Sequence, residues 1–183
     1  MPDLADNLTY FSRPFMVVGT GGRKITGNAR QPRDITLNMN GRFTPRMIFI
    51  ATPGAKTPPE AGMIIEDEYQ QQWLLANWSA DYFGDRHIAD QFAMYQINKK
   101  ARWQRAVTTV EPISGLLAAN SLQDLGYVSC LMEPMRADSD GMHIEHDYVR
   151  ILCNAEIMVG DVFDGKRVRR VSFDQGVTYG EAL

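Results

Sequence analysis

The sequence predicts a mainly β fold, a small β-barrel or sandwich with one or two helices and long loops. Two turn signals carry this prediction: Asn40-Gly41 and Asp164-Gly165 each separate runs rich in β-branched and aromatic residues. Both central positions of a type I′ hairpin turn need positive φ, which Asn, Asp and Gly tolerate. The third observation is composition, since 44% hydrophobic and 22% charged residues are ordinary globular usage. A chain of 183 residues can bury a core without disulfides or metal, so we expect one β-rich domain over residues 1–183.

The first predicted strands lie beside turn-forming segments. Phe15–Val18 precedes the glycine-rich Gly19–Gly22, and Ile35–Met39 and Met47–Ile50 flank the Asn-Gly turn. Pro53–Gly62 contains three prolines and two glycines, which is typical of an exposed loop. The N-terminal third is therefore expected to consist of short strands and long loops.

The segment between residues 66 and 106 has two interpretations. Three apolar side chains recur at helical spacing behind a capping residue, Asp85, and these are Ile88, Phe92 and Tyr95. This spacing predicts a helix over roughly 86–106. Phe92, Met94 and Gln96 fit a strand equally well, because alternate residues of a strand share a face. We favour one or two helices here and leave open an insertion at about 55–125.

The C-terminal third again reads as strands. Tyr127–Met132 and Tyr148–Leu152 flank a polar loop, Arg136–Gly141, and the Asp164-Gly165 turn joins the last two β-rich runs. In the final run Val171 and Phe173 share a face, whereas Val168 has the opposite parity. Either a bulge intervenes or that strand is buried on both sides.

His143, His146 and Asp147 form the clearest group of metal-capable side chains. On a helix, HxxH places two imidazoles on one metal, with Asp147 or Glu145 as a further ligand. The segment instead follows a turn and leads into a strand, where residues 143 and 146 face opposite sides. We therefore favour a polar loop and predict no metal site, and a metal-dependent hydrolase using these three residues stays as an alternative.

Other candidates for catalysis or cofactor binding fail on spacing or context. Gly19–Lys24 does not match either phosphate-loop pattern, and Ser114 is not in a nucleophile elbow. His87 stands alone in the sequence, and the carboxylates of Glu66-Asp67-Glu68 fit a structural role better than an acid/base pair. Cys130 and Cys153 lie in apolar surroundings and are expected to be buried free thiols. We predict no enzyme, no catalytic residue and no cofactor.

Charge is unevenly distributed along the chain. Residues 1–50 carry a net charge of +4, although the whole chain is at −3. Two basic clusters, Lys99–Arg105 and Lys166–Arg170, include or precede aromatic residues and are candidates for contact with phosphates. The start of the chain has no basic and apolar blocks of a signal peptide, and no apolar run approaches the ~18 residues that span a bilayer. We expect no membrane partner.

Several phrases together resemble the neck proteins of tailed bacteriophages, which join the portal to the tail. They are Tyr10–Pro14 followed by Gly22-Arg23, Trp103–Arg105, Glu111–Leu116 and the "VGD…G…V" pattern within Ile157–Val171. The segment from about 55 to 125 has no counterpart in that family. The family members are head-closure, head-to-tail connector or tail-terminator proteins.

The resemblance implies a non-enzymatic structural subunit at the head–tail interface, a virion protein assembled in the host cytoplasm. It implies a ring oligomer around the DNA channel, with other neck, portal or tail proteins as neighbours and non-specific contact with the DNA. Three long loops are expected to supply the contacts, and these are Gly19–Arg33, Pro53–Gly62 and Arg136–Gly141. A bacterial interaction module unrelated to phage stays open as another class.

Overall fold

The computed structural model describes residues 12–31, 43–51, 58–107, 121–135 and 148–183. Every regular element in these ranges is a β-strand, so the mainly β prediction is confirmed. The strands are β1 (Arg13–Val17), β2 (Lys24–Arg30), β3 (Met47–Ala51), β4 (Ile64–Glu66), β5 (Gln72–Phe83), β6 (Arg86–Gln96), β7 (Lys99–Val107), β8 (Ser121–Pro134), β9 (Val149–Cys153), β10 (Val162–Phe163), β11 (Lys166–Asp174) and β12 (Val177–Ala182).

The chain divides by contacts into two compact units, where the sequence predicts one domain. The first unit comprises Met1–Ile97 with Asp174–Val177, and the second comprises Asn98–Phe173 with Thr178–Leu183. The boundary near residue 97 falls inside the segment that we treat as a candidate insertion.

Each unit is built on a closed barrel of six strands, and the two barrels have the same strand order. The first barrel runs β1-β2-β3-β6-β5-β4 and closes from β4 to β1. Adding six to each strand number gives β7-β8-β9-β12-β11-β10, which is the order of the second barrel, closed from β10 to β7. No internal sequence repeat corresponds to this shared strand order.

The core of the first unit is aromatic. The rings of Phe15 and Phe49 pack edge to face with their centroids 5.3 Å apart, and both are buried against Phe92 and Met94. Gly27 on β2 makes room for this arrangement, because a Cβ there would lie 2.2 Å from the Phe49 ring. The core of the second unit includes Ile151, Phe163, Val168 and both cysteines.

The prediction of helices is wrong for the described part of residues 66–106, where β4, β5, β6 and β7 lie. Phe92, Ala93, Met94 and Tyr95 are all at most 1% exposed, so this stretch of β6 is buried on both faces. A strand buried on both faces loses the alternation of apolar and polar residues. The helical spacing of Ile88, Phe92 and Tyr95 is therefore coincidental.

The Asp164-Gly165 hairpin is confirmed. It joins β10 to β11, and its two central residues have φ of +47° and +85°, as a type I′ turn requires. The glycine-rich Gly19–Gly22 likewise forms the turn of an antiparallel β1–β2 hairpin. The prediction of a long loop over Gly19–Arg33 is therefore wrong for Lys24–Arg30, which is β2. The predicted hairpin at Asn40-Gly41 lies outside the described residues.

A bulge explains the parity change in β11. Arg167 and Leu183 exchange two backbone hydrogen bonds, while the turn at Gln175-Gly176 joins Asp174 to Val177. From Arg167 to Asp174 the chain advances seven residues, whereas the facing segment from Val177 to Leu183 advances only six. The extra residue in β11 allows Val168 and Val171 to pack against the same core.

Candidate functional site

The β5–β6 hairpin exposes several large side chains in its outer part, residues 77–91, here called the ribbon. Near the barrel core, Trp73–Ala76 on β5 are buried. Beyond them the two strands stay paired as far as Phe83 and Arg86. At the tip Tyr82 is 62% and Phe83 is 80% exposed. The ribbon thus carries large aromatic side chains away from the core.

Two bulges shape the ribbon. The first lies between Ala76 and Ser79 on β5, where Asn77 has a φ of +53°. The second lies on β6, since Asp81 pairs with Ala89 while Tyr82 pairs with His87, which leaves Ile88 as the extra residue. Residues 87 and 90 would face opposite sides of a regular strand, but this bulge puts both on one face.

The side chains on that face form a connected cluster, which we call the ribbon cluster: Trp78, Tyr82, His87 and Asp90. Trp78 Nε1 donates to Asp90 Oδ1 at 2.9 Å. His87 Nε2 lies 3.2 Å from the same carboxylate oxygen and 3.1 Å from the Ala89 carbonyl. Both neighbours are acceptors, so the geometry assigns a proton to Nε2. The Tyr82 ring lies 5.3 Å from the His87 ring in a tilted arrangement, which joins Tyr82 to the cluster.

A second ordered site surrounds Asp161, which is 2% exposed in the second unit. Arg105 donates to both carboxylate oxygens from Nε and Nη2, each at 2.9 Å, and Trp103 Nε1 donates at 2.8 Å. The backbone N–H of Met158 also donates to Asp161, at 2.9 Å. Burial opposes ionisation here, but these hydrogen bonds outweigh it and hold the pKa of Asp161 below its usual value.

This network holds an exposed apolar turn in place. Met158 and Val159 are 53% and 66% exposed, immediately before Gly160 and Asp161. The Gly160 N–H donates to the Val168 carbonyl, and the Asp161 N–H donates to the Met158 carbonyl. The turn is therefore fixed on both sides of its exposed tip.

Three side chains of the first basic cluster and one of the second form ion pairs with acidic neighbours. In the first, Lys99 pairs with Asp164, Arg102 with Asp124 and Arg105 with Asp161. In the second, Arg170 lies 3.7 Å from Glu181. Glu181 is also the register partner of Arg150, which pairs with Glu133 across β9 and β8. These contacts form a row of alternating charges across four strands.

The first unit also contains a cavity of about 800 Å³, with Phe15, Met47, Trp73 and Met94 among its lining residues. Arg13 and Glu68 form an ion pair beside it at 2.6 Å.

The three acidic residues 66–68 contribute structure next to this cavity. Asp67 accepts hydrogen bonds from the N–H groups of Tyr69 and Gln71 and from Trp73 Nε1, each at 2.9 Å. Both of its carboxylate oxygens are therefore engaged in the turn between β4 and β5. This agrees with the structural role that the sequence favours for the run.

The remaining predicted residues have different outcomes. Cys130 and Cys153 are buried free thiols, as predicted, and they are direct partners in the β8–β9 register. His143, His146, Asp147 and Ser114 lie outside the described residues, as does the loop Arg136–Gly141. Within the described ranges no three metal-capable side chains are grouped as a site. Those ranges also contain no helix with the length and apolar character needed to cross a membrane.

Sequence reasoning missed the ribbon cluster and the Asp161 network. His87 looks isolated because its partners are Tyr82, from the facing strand, and Asp90, which shares its face only through a bulge. The pairing of Trp103 and Arg105 with Asp161 spans more than fifty residues. The sequence offered one hint of this network, because Trp103–Arg105 and Asp161 each lie in a motif on which the resemblance to phage neck proteins rests.

A scan against models of protein families finds none that matches the chain, and searches of curated proteins and of solved structures likewise find no match.

Proposed function

We propose that this chain is a non-enzymatic structural subunit that assembles with copies of itself, and that its assembly is the head–tail interface of a bacteriophage virion. There it forms a ring around the DNA channel, next to other neck, portal or tail proteins. The observation that carries the assembly role is the ribbon, a paired β-hairpin that exposes Tyr82 and Phe83.

Aromatic side chains exposed together are costly in water and are enriched at the centres of protein interfaces. In the ribbon Tyr82 already has an ordered neighbour before any partner arrives, because its ring lies against His87 and His87 contacts Asp90. Side chains that are already ordered lose little conformational entropy on binding. These properties support a docking role for the ribbon.

The virion role is supported by the phage-like phrases. Two of them, Trp103–Arg105 and the "VGD" pattern, are joined by the hydrogen bonds of Trp103 and Arg105 to Asp161. These two motifs therefore meet in one contact of the fold. The network also holds the Met158–Val159 turn in position for contact with a partner.

The test of the virion role is quantitative mass spectrometry of particles produced from the genome that carries this gene. We expect a small fixed number of copies per particle, as a ring requires. Absence of the chain from purified particles contradicts the virion role. If the genes that flank this gene include no portal or tail genes, the bacterial interaction module is favoured instead.

Metal analysis tests the non-enzymatic part of the proposal. We expect no stoichiometric zinc or manganese in the purified chain. Bound metal that is lost in a His146→Ala variant would favour the hydrolase that uses His143, His146 and Asp147.

A further inference from the structure

We infer that the ribbon of one copy docks on the β1–β2 hairpin, residues 12–31, of a second copy. This inference rests on the proposed self-assembly and names the two surfaces that meet. Both surfaces belong to the first unit.

The β1–β2 hairpin is uniformly basic. Residues 12–31 contain four basic and no acidic residues, a net charge of +4. Arg13 is engaged by Glu68 at 2.6 Å. Arg23 and Lys24 are exposed at the turn end, and neither has an acidic partner in the described part of the chain. Among the described residues the turn end therefore carries positive charge without an acidic partner.

The ribbon has the opposite sign. Residues 77–91 contain three aspartates and one arginine, a net charge of −2 with histidine neutral. Asp90 is held within the ribbon cluster, and Asp81 accepts a hydrogen bond from Gln91. Asp85 is exposed in the turn itself, next to the exposed aromatic side chains. The turn also holds Arg86 beside Asp85, so it is the ribbon as a whole, and not its turn alone, that is opposite in charge to the β1–β2 hairpin.

The two surfaces also match in their apolar side chains. Met16 and Val18, which are 44% and 38% exposed, lie beside the basic turn of the hairpin. Tyr82 and Phe83 lie beside Asp85 on the ribbon. Aromatic rings attract both apolar side chains and the cations of arginine and lysine. An Asp85 contact with Arg23 or Lys24 would align the strands while the rings bury apolar surface.

Contact between two different surfaces of the same subunit is heterologous. Such contacts close into rings when the rotation between copies allows it. Both surfaces are exposed in this chain, so neither is occupied by the other. A second copy is therefore the occupant that this pair of surfaces fits.

Photo-crosslinking of the full chain tests where the ribbon docks. Benzoylphenylalanine replaces Phe83, and a mixture of isotopically light and heavy protein is irradiated and mapped by mass spectrometry. We expect light–heavy crosslinks from position 83 to residues 12–31. The matched control is the same replacement at Tyr69, an aromatic residue of the same unit that is 81% exposed, and we expect no such crosslinks from it. Crosslinks from position 83 to another region, or none, overturn the inference.

Charge exchange tests the same contact by a second route. We expect Asp85→Arg, and separately Arg23→Asp, to weaken self-association about tenfold, as measured by sedimentation at low salt. The combined variant should recover most of the loss, because the charges are exchanged and not removed. Unchanged association in both single variants, no recovery in the combined variant, or a monomeric wild-type chain would each overturn the inference. If the chain self-associates but position 83 crosslinks outside residues 12–31, this inference fails and the proposed function is unaffected. If the chain is absent from purified particles, the proposed function itself is contradicted.

Discussion

Asp161 is the side chain on which the turn before β10 depends. It receives hydrogen bonds from Arg105, Trp103 and the Met158 N–H, and Arg105 also lies over the Trp103 ring at 5.1 Å. Arg105 donates further to the Glu156 carbonyl. Removing the charge at position 161 therefore leaves a partly buried guanidinium without its counter-ion. Such a loss is more costly than the loss of an exposed pair.

We expect Asp161→Asn to lower the free energy of unfolding by about 2–4 kcal/mol, as measured by urea titration. The pKa of Asp161 is lowered in the fold, so the stabilising effect is present above the unfolded carboxyl pKa of about 3.9. It is lost as the pH falls through the lower, folded pKa. The variant should therefore lose less stability than wild type on acidification. If the variant and the wild type depend on acid in the same way, this role for Asp161 is contradicted. The control is Arg102→Ala, which removes an exposed ion pair on β7, the strand of Arg105, and should lose less stability.

Both thiols should be inert in the folded chain. Burial raises the pKa of Cys130 to about 11 and that of Cys153 to about 12. The thiolate is the reactive form, so the folded protein should not react with an aromatic disulfide reagent near pH 8. In denaturant both cysteines should react. Rapid reaction of either thiol in the native protein would show that the β8–β9 core opens readily.

At the scale of elements, the Asp164-Gly165 turn is held by its backbone and by its neighbours. Asp164 accepts from the Arg102 N–H at 2.7 Å and pairs with Lys99 at 2.7 Å. Gly165 has a φ of +85° and no atom near its missing Cβ. Glycine is therefore favoured at position 165 because of its positive φ and not because a side chain would clash there.

We expect Gly165→Ala to destabilise the chain by about 1–2 kcal/mol in thermal or urea unfolding, because alanine resists positive φ. Gly165→Asn is the matched variant, and it should retain most of the stability because asparagine tolerates this region. Equal losses in the two variants would mean that the side chain and not the backbone is the cause.

These elements differ in how much the sequence could reveal. The Asp164-Gly165 turn was predictable because its chemistry is local. β6 was not, because burial on both faces depends on strands far away in the chain and removes the alternating pattern. The ribbon cluster was hidden for a related reason, since the bulge at Ile88 that brings His87 and Asp90 together is defined only by pairing with β5.

For the whole molecule, the division into two units predicts separable unfolding. Phe49 and Phe163 are fully buried in the first and second cores, respectively. Replacing either by alanine should remove about 3–5 kcal/mol from the unit that contains it. Trp73 reports on the first unit and Trp103 on the second, so variants that retain one of these tryptophans can follow each unit by fluorescence.

We expect Phe163→Ala to shift the Trp103 transition to lower denaturant and to leave the Trp73 transition nearly in place. Phe49→Ala should do the reverse. Equal shifts at both probes would show that the units unfold as one cooperative body.

At this scale the sequence predicts the fold class but gives no sign of two compact units. Two barrels of six strands contain the same local signals as one larger β domain, namely short apolar runs and turns. Which strands close on which is decided by long-range hydrogen bonding, and residue patterns along the chain do not record it. The division near residue 97 accordingly has no proline-rich linker to mark it, and the basic residues that follow belong to β7.

The shared strand order of the two barrels has an evolutionary consequence. Because each set of six strands closes on itself, a gene of half this length already encodes a complete hydrogen-bonded ring. Tandem duplication of such a gene would yield this chain without the invention of a new topology. Divergence of the copies would then erase their sequence similarity while the connectivity endured, since changing the order of strands requires rewiring the whole barrel whereas changing side chains does not.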